Sequence, residues 1–137
     1  MSYFIRFEQI YSDENLIEIL VSISIRGLSL SASCYTQIEK IFELSEKCEK
    51  YVSSFSPFEW FVGSDEYAYI NMYIHKFDNL GHVRIDFDVF SDKMPTDFGR
   101  MKCSFSAKTE LGQLDILGKR IKSLSEAAKP LEIIVIE

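Results

Sequence analysis

His75, His82, Asp86 and Asp88 lie close together in the chain and are residue types that titrate, relay protons or bind metals. On a strand Asp86 and Asp88 share one side, because side chains alternate. Paired carboxylates become an acid/base device only when their surroundings split their pKa values, and Arg84 on that same side points instead to charge balance. The two histidines flank a turn at Asp78-Asn79-Leu80-Gly81 and can approach each other across it, yet a zinc site takes three or four ligands. Solvated histidines beside a turn are the simpler reading. Cys34, Cys48 and Cys103 are odd in number, widely spaced and set in apolar-patterned segments, as expected of reduced core thiols. There is no glycine-rich phosphate loop, no nucleophile elbow and no cysteine near a histidine in the sequence. The expectation is a protein that is not an enzyme and uses no cofactor and no metal.

Binding is the chemistry the sequence favours. In Tyr67-Ala68-Tyr69-Ile70-Asn71-Met72-Tyr73-Ile74, alternation puts Ala68, Ile70, Met72 and Ile74 on one side and Tyr67, Tyr69, Asn71 and Tyr73 on the other. The first side is core material. The second carries stiff, amphipathic rings of the kind enriched where proteins bind proteins, although tyrosine also suits half-buried strands on propensity alone. Neighbouring strands lie about 4.8 Å apart, so Arg84, Asp86 and Asp88 on the next strand, and Arg100 and Lys102 beyond it, extend the tyrosines into one patch if strand order follows the sequence.

The elements that must position this patch are read from periodicity. Tyr3 to Ile10 is a short strand followed by a polar turn at Tyr11 to Asn15, and Ile17, Ile19, Val21, Ile23 and Ile25 mark the next strand. Gly27 is a hairpin turn or a bulge before Leu28, Leu30, Ala32 and Cys34 resume the alternation. Thr36-Gln37-Ile38-Glu39 fits a capping box for a helix from about Gln37 to Tyr51, with Ile38, Ile41, Phe42, Leu44, Cys48 and Tyr51 on its apolar stripe. Val52 to Pro57 breaks that pattern, and Phe58 to Val62 is a short strand or a core-plugging loop. The tyrosine strand and His82 to Phe90 form a hairpin; Ser91 to Phe98 is a loop containing Pro95; Arg100 to Ala107 is a further amphipathic strand. Thr109 is placed as N-cap of a second helix carrying Leu111, Leu114, Leu117, Ile121 and Leu124, in which Gly112 and Gly118 are unfavourable unless they permit close approach to the sheet. Leu131 to Ile136 is a buried strand or an ordered tail. Each half runs from strands into a helix, as in a duplication or simply as in any sheet-to-helix junction. The expected fold is α+β and two-layer: a mainly antiparallel sheet of about six to seven strands, with two helices on one face and the other face open.

At 137 residues and 47% hydrophobic content the chain fits one domain, 1–137. Its net charge of −6 argues against a nucleic-acid partner. The charged start Met1 to Glu8 is unlike a signal peptide, and no apolar run approaches the ~20 residues that span a bilayer, so a cytoplasmic protein without a membrane partner is expected.

The segment Ser22 to Ala32, the helix after it, the Asp78-Asn79-Leu80-Gly81-His82-Val83 turn and Lys102 to Thr109 leading into a leucine-rich helix resemble the WapI family of bacterial immunity proteins, over roughly Leu16 to Leu124. The likeness departs at Lys108-Thr109-Glu110-Leu111, where the family has an acidic, glutamine-containing stretch, and at the tail Leu131 to Glu137. The resemblance implies a cytoplasmic protein that neutralises a cognate toxin domain encoded next to it. An inhibitor of that kind needs a complementary surface and no chemistry, and net negative charge steers it toward a basic target such as a nuclease domain. Tyr67, Tyr69, Tyr73, Asp86 and Asp88 are the expected partner-binding residues, with Trp60 added if its segment is exposed. The alternative is a small-ligand or regulatory domain in which Phe55, Phe58, Trp60 and Phe61 line a pocket between sheet and helices.

Overall fold

The computed structural model describes residues 3–14, 16–92, 100–125 and 129–136. Strands β1 (Phe4–Asp13), β2 (Leu16–Ile25) and β3 (Leu28–Gln37) form a meander leading into helix α1 (Ile38–Ser54). Arg26 and Gly27 both have positive φ, 46° and 77°, as a tight hairpin turn demands, so Gly27 closes a hairpin and is not a bulge. The bulge falls instead between Gln9 and Tyr11, and β1 continues through the expected polar turn to Asp13.

Strand β4 (Phe58–Ser64) follows α1, and then the meander recurs as β5 (Ala68–Lys76), β6 (His82–Asp92) and β7 (Arg100–Glu110), helix α2 (Leu111–Arg120), a 3-10 turn (Ile121–Ser125) and β8 (Leu131–Ile134). The loop expected over Ser91 to Phe98 lies mostly outside the described residues, β6 continuing to Asp92.

The fold is α+β with two antiparallel sheets of four strands, in the orders β3-β2-β1-β8 and β4-β5-β6-β7. This corrects the expectation of one sheet of six to seven strands, while the α+β class and the antiparallel pairing are as expected. The chain repeats one β-β-β-α-β unit twice, and the last strand of each unit pairs in the other unit's sheet: β4 beside β5, β8 beside β1. The exchange ties the halves together, and their inward side chains form one core with α1 and α2. The register repeats as well. Phe7 faces Val21 as Met72 faces Phe87, and Ile5 faces Ile23 as Ile70 faces Val89.

The helices meet where Ser45 Oγ donates to the Gly118 carbonyl at 2.5 Å. A Cβ at Gly118 would sit 3.0 Å from Cys48 Cβ, so this glycine lets helix approach helix, where the sequence pointed to the sheet. Burial, helped by the charge of Glu49, pushes the Cys48 thiol up to about 12, consistent with an inert core group.

Neither expected threonine cap forms. Thr36 belongs to β3, where alternation turns it inward opposite Ile17, and Gln37 takes the N-cap position without a side-chain bond. Thr109 likewise faces inward from β7, donating from Oγ1 to the Ile134 carbonyl at 2.6 Å and so fastening β8. Gln113 Oε1 accepts the Ile134 N–H at 2.9 Å, fixing the same strand from α2.

Candidate functional site

The outer face of the β4-β5-β6-β7 sheet is built in cross-strand rows. Gly63, Tyr69, Phe90 and Lys102 make one row; Phe61, Asn71, Asp88 and Ser104 the next; Glu59, Tyr73, Asp86 and Ser106 a third. The inward residues Ile70, Met72, Ile74, Val83, Ile85, Phe87 and Val89 are buried, which leaves the rows between them facing out.

Tyr69 is the centre of an aromatic ladder. Its ring lies 5.3 Å from that of Phe61 and 5.5 Å from that of Phe90, each tilted by 30°. Its hydroxyl donates to Asp88 Oδ2 at 3.3 Å, and partial burial together with the Asp88 charge raises its pKa. Tyr73 stands two rows over, its ring 4.6 Å from the imidazole of His75.

Asp86 is the polar centre. Arg84 Nε donates to its Oδ1 at 2.8 Å, Ser106 Oγ donates to the same oxygen at 2.5 Å, and His75 Nε2 lies 2.8 Å from Oδ2. Burial works to raise the pKa of this carboxyl, but the bonds from Ser106, Arg84 and His75 prevail and hold it down at about 2. Ser106 donates to the carboxylate and not to the imidazole, and a carboxyl with its pKa held down at about 2 is a weak base for that proton. The network presents a fixed negative charge on the outer face.

The expected site residues are therefore placed as follows. Tyr69, Tyr73, Asp86 and Asp88 share the outer face, as alternation requires, all of them half-buried and accessible. Tyr67 lies just before β5 in the turn at its end, 64% exposed, with its carbonyl accepting the Asp92 N–H at 2.6 Å. Trp60 is fully buried; its register partner is the inward Met72, and its indole N–H donates to the Lys40 carbonyl at 2.8 Å. The exposure on which its candidacy depended is absent, and Trp60 is a core residue that anchors β4 to α1. The outer edge of β4 is further capped by Lys47 Nζ, which donates to the Glu59 carbonyl at 2.7 Å.

The four aromatics expected to line a ligand pocket do not converge. Trp60 is in the core, Phe58 packs against it, Phe61 faces out on the second sheet, and Phe55 borders an open groove of about 270 Å³ with Tyr51, Val83, Leu111 and His82. In that groove His82 Nδ1 lies 2.6 Å from Asp78 Oδ2, which lowers the Asp78 pKa, while His75 is engaged by Asp86. The two histidines thus have separate carboxylate partners. Among the described residues no group of three or more His, Cys, Asp and Glu is placed to hold a metal, and no helix is long and apolar enough to cross a membrane.

Phe61 and Phe90 were not anticipated as site residues. Phe90 continues the Arg84, Asp86, Asp88 alternation and was within reach of that signal; Phe61 becomes recognisable only once β4 is registered on β5. Comparison with protein-family models, with curated proteins and with solved structures finds no match.

Proposed function

We propose that this protein is a cytoplasmic immunity protein that binds and neutralises a cognate bacterial toxin domain by surface complementarity, without catalysis. The observation that carries the reading is the outer face of the second sheet, where the Phe61, Tyr69 and Phe90 ladder adjoins Asp88 and, one row further on, the Asp86 carboxylate held in place by Arg84, Ser106 and His75. Rings stacked on one another lose little side-chain freedom on binding, and a charge fixed beforehand needs no reorganisation. The net charge of −6 supports a basic target, attracted before contact is made. The family likeness over Leu16 to Leu124 supplies the class of partner.

The test is protection. The toxin domain encoded beside this gene is expressed in a sensitive bacterium with and without the protein, and growth is followed. Rescue by the parent chain, and its loss with Tyr69→Ala in a variant that keeps its thermal transition, is the expected result. A toxin that kills equally in both strains, or a neighbourhood that encodes none, would sink the proposal.

A further inference from the structure

Taking the protein as one that works by gripping another, we infer that the grip extends beyond the second sheet to the junction of β3 and β4, and that this junction accepts a basic, arginine- or lysine-bearing segment of the partner protein. The exposed aromatic and apolar side chains Tyr11, Leu16, Tyr35, Phe61 and Tyr67 gather there from four separate stretches of the chain. Tyr35 and Tyr67 border a groove of about 420 Å³; Leu16, Tyr35 and Phe61 border an adjoining one of about 330 Å³. The Tyr11 ring meets the Tyr35 ring edge-on at 6.2 Å, and Phe61 carries the surface on to Tyr69. The grooves therefore continue the proposed binding face without a break.

Acidic residues adjoin their lining in the chain or in strand register. Asp13 is opposite Leu16 in the β1-β2 hairpin and Glu14 follows it; Glu18 faces Tyr35 across β2 and β3; Asp65 and Glu66 form the turn between Ser64 and Tyr67. Lys40 borders the smaller groove, and Arg100 is held by Asp92 at 3.4 Å. A guanidinium or ammonium gains twice at such a place, over the face of an exposed tyrosine and beside a carboxylate.

The opposite junction provides the contrast. There the Ile136 N–H donates to the Lys108 carbonyl at 2.7 Å, joining the end of the chain to β7, and the neighbouring groove is bordered by Arg26, Arg84 and Lys108. Lys108 is the repeat equivalent of Tyr35, each being one residue before the inward threonine at the end of its strand in the shared register. Equivalent places are thus cationic on one side of the molecule and aromatic with acidic neighbours on the other. A basic partner fits only the second.

The probe is an arginine nonamer added to the isotope-labelled full chain, followed by amide chemical shifts at low salt, with a glutamate nonamer as control. Saturable shifts centred on Tyr35, Gly63, Ser64 and Tyr67, absent with the control and suppressed in 0.5 M salt, are expected, with affinity falling about tenfold in Tyr35→Ala. Asp65→Asn with Glu66→Gln lowers it again while leaving the rings intact. Shifts centred on the acidic side of α1 at Glu39, Glu46 and Glu49, shifts confined to the face around Tyr69 and Asp88, or no saturation overturn the inference. So do shifts that depend on protein concentration alone, which would assign the junction to a second copy. Against the toxin, loss of binding in Tyr69→Ala with full binding in Tyr35→Ala removes this inference and leaves the proposed function standing, whereas no loss in either removes both.

Discussion

The two sheets share a frame and differ outside. Inward, the repeated register places Ile5 with Ile70, Phe7 with Met72, Val21 with Phe87 and Leu44 with Leu117, all of them buried. Outward, the row Glu132, Arg6, Ser22 and Ser31 of the first sheet stands where the second has Phe61, Asn71, Asp88 and Ser104. Leu20 and Ser33 stand where the second sheet has Asp86 and Ser106. The first exterior is joined over its middle by small contacts, such as Ser31 Oγ to Ser22 Oγ at 3.0 Å, and by an exposed Arg6 to Glu132 ion pair, its ring pair Tyr11 and Tyr35 standing only at the end that meets β4. The second carries stacked rings and a carboxylate with three partners. Core volume constrains the inner faces to match, because close packing punishes both gaps and excess. Nothing constrains the outer faces in that way, so binding is to be sought where the stiff rings are, on the second sheet and at the end of the first that adjoins it.

The largest effect belongs to the shared frame. Trp60 on β4 and Leu131 on β8 hold equivalent positions, opposite Met72 and Phe7, in strands exchanged between the halves. Truncation of the fully buried Trp60 to alanine is expected to cost about 3–5 kcal/mol, and Leu131→Ala about 2–3 kcal/mol, in urea unfolding. Near-zero loss at either position would mean that its strand is not held by the other half. Next in size is the difference between exteriors. Tyr69→Ala should weaken toxin binding by about 2 kcal/mol or more, roughly 30-fold, while Ser31→Ala changes it by less than twofold in the same titration calorimetry. Equal losses from both sheets would erase the distinction drawn between them.

Much of the second exterior is legible in the sequence. Period-two alternation alone sets Tyr69, Tyr73, Asp86 and Asp88 on one side, and the hairpin at Asp78 to Gly81 fixes β5 against β6. The division into two sheets was not legible, because it depends on β8 pairing with β1 from the far end of the chain, a contact that leaves no local pattern. Trp60 and Phe61 are adjacent, so one had to point in and one out; only pairing with β5 decides which. The threonine caps fail for a related reason: Thr36 and Thr109 look like helix starts locally, but strand parity turns them toward the core. Tyr35 carries no local signal, because the grooves it borders are assembled from distant segments.

The helix contact yields a smaller effect with a built-in control. Gly118→Ala brings a Cβ within 3.0 Å of Cys48 Cβ, which is part of the packed α1 and α2 junction, and should destabilise by about 1–2 kcal/mol. Gly112→Ala meets nothing within 4 Å and should stabilise by about 0.5 kcal/mol through helix propensity. Opposite signs in thermal melts separate packing from propensity; a stabilising Gly118→Ala would show that the helices have room to spare.

The smallest effect tests whether the second exterior is fixed before it binds. The folded-state pKa of Asp86 is depressed to about 2, below the ~3.9 of an unfolded aspartate, so the native state favours the ionised form. Its contribution is therefore complete above about pH 4 and disappears as pH falls through 2. Asp86→Asn removes the charge, and with partners this accessible the loss at neutral pH should stay below about 1 kcal/mol. The informative quantity is the shape of the curve: urea stabilities of parent and variant, compared at intervals from pH 6 to pH 2, should converge on the acid side. A gap that persists unchanged to pH 2 would mean that the carboxylate is not held in its charged form by Ser106, Arg84 and His75, and the second sheet would lose the preset charge that separates it from the serines of the first.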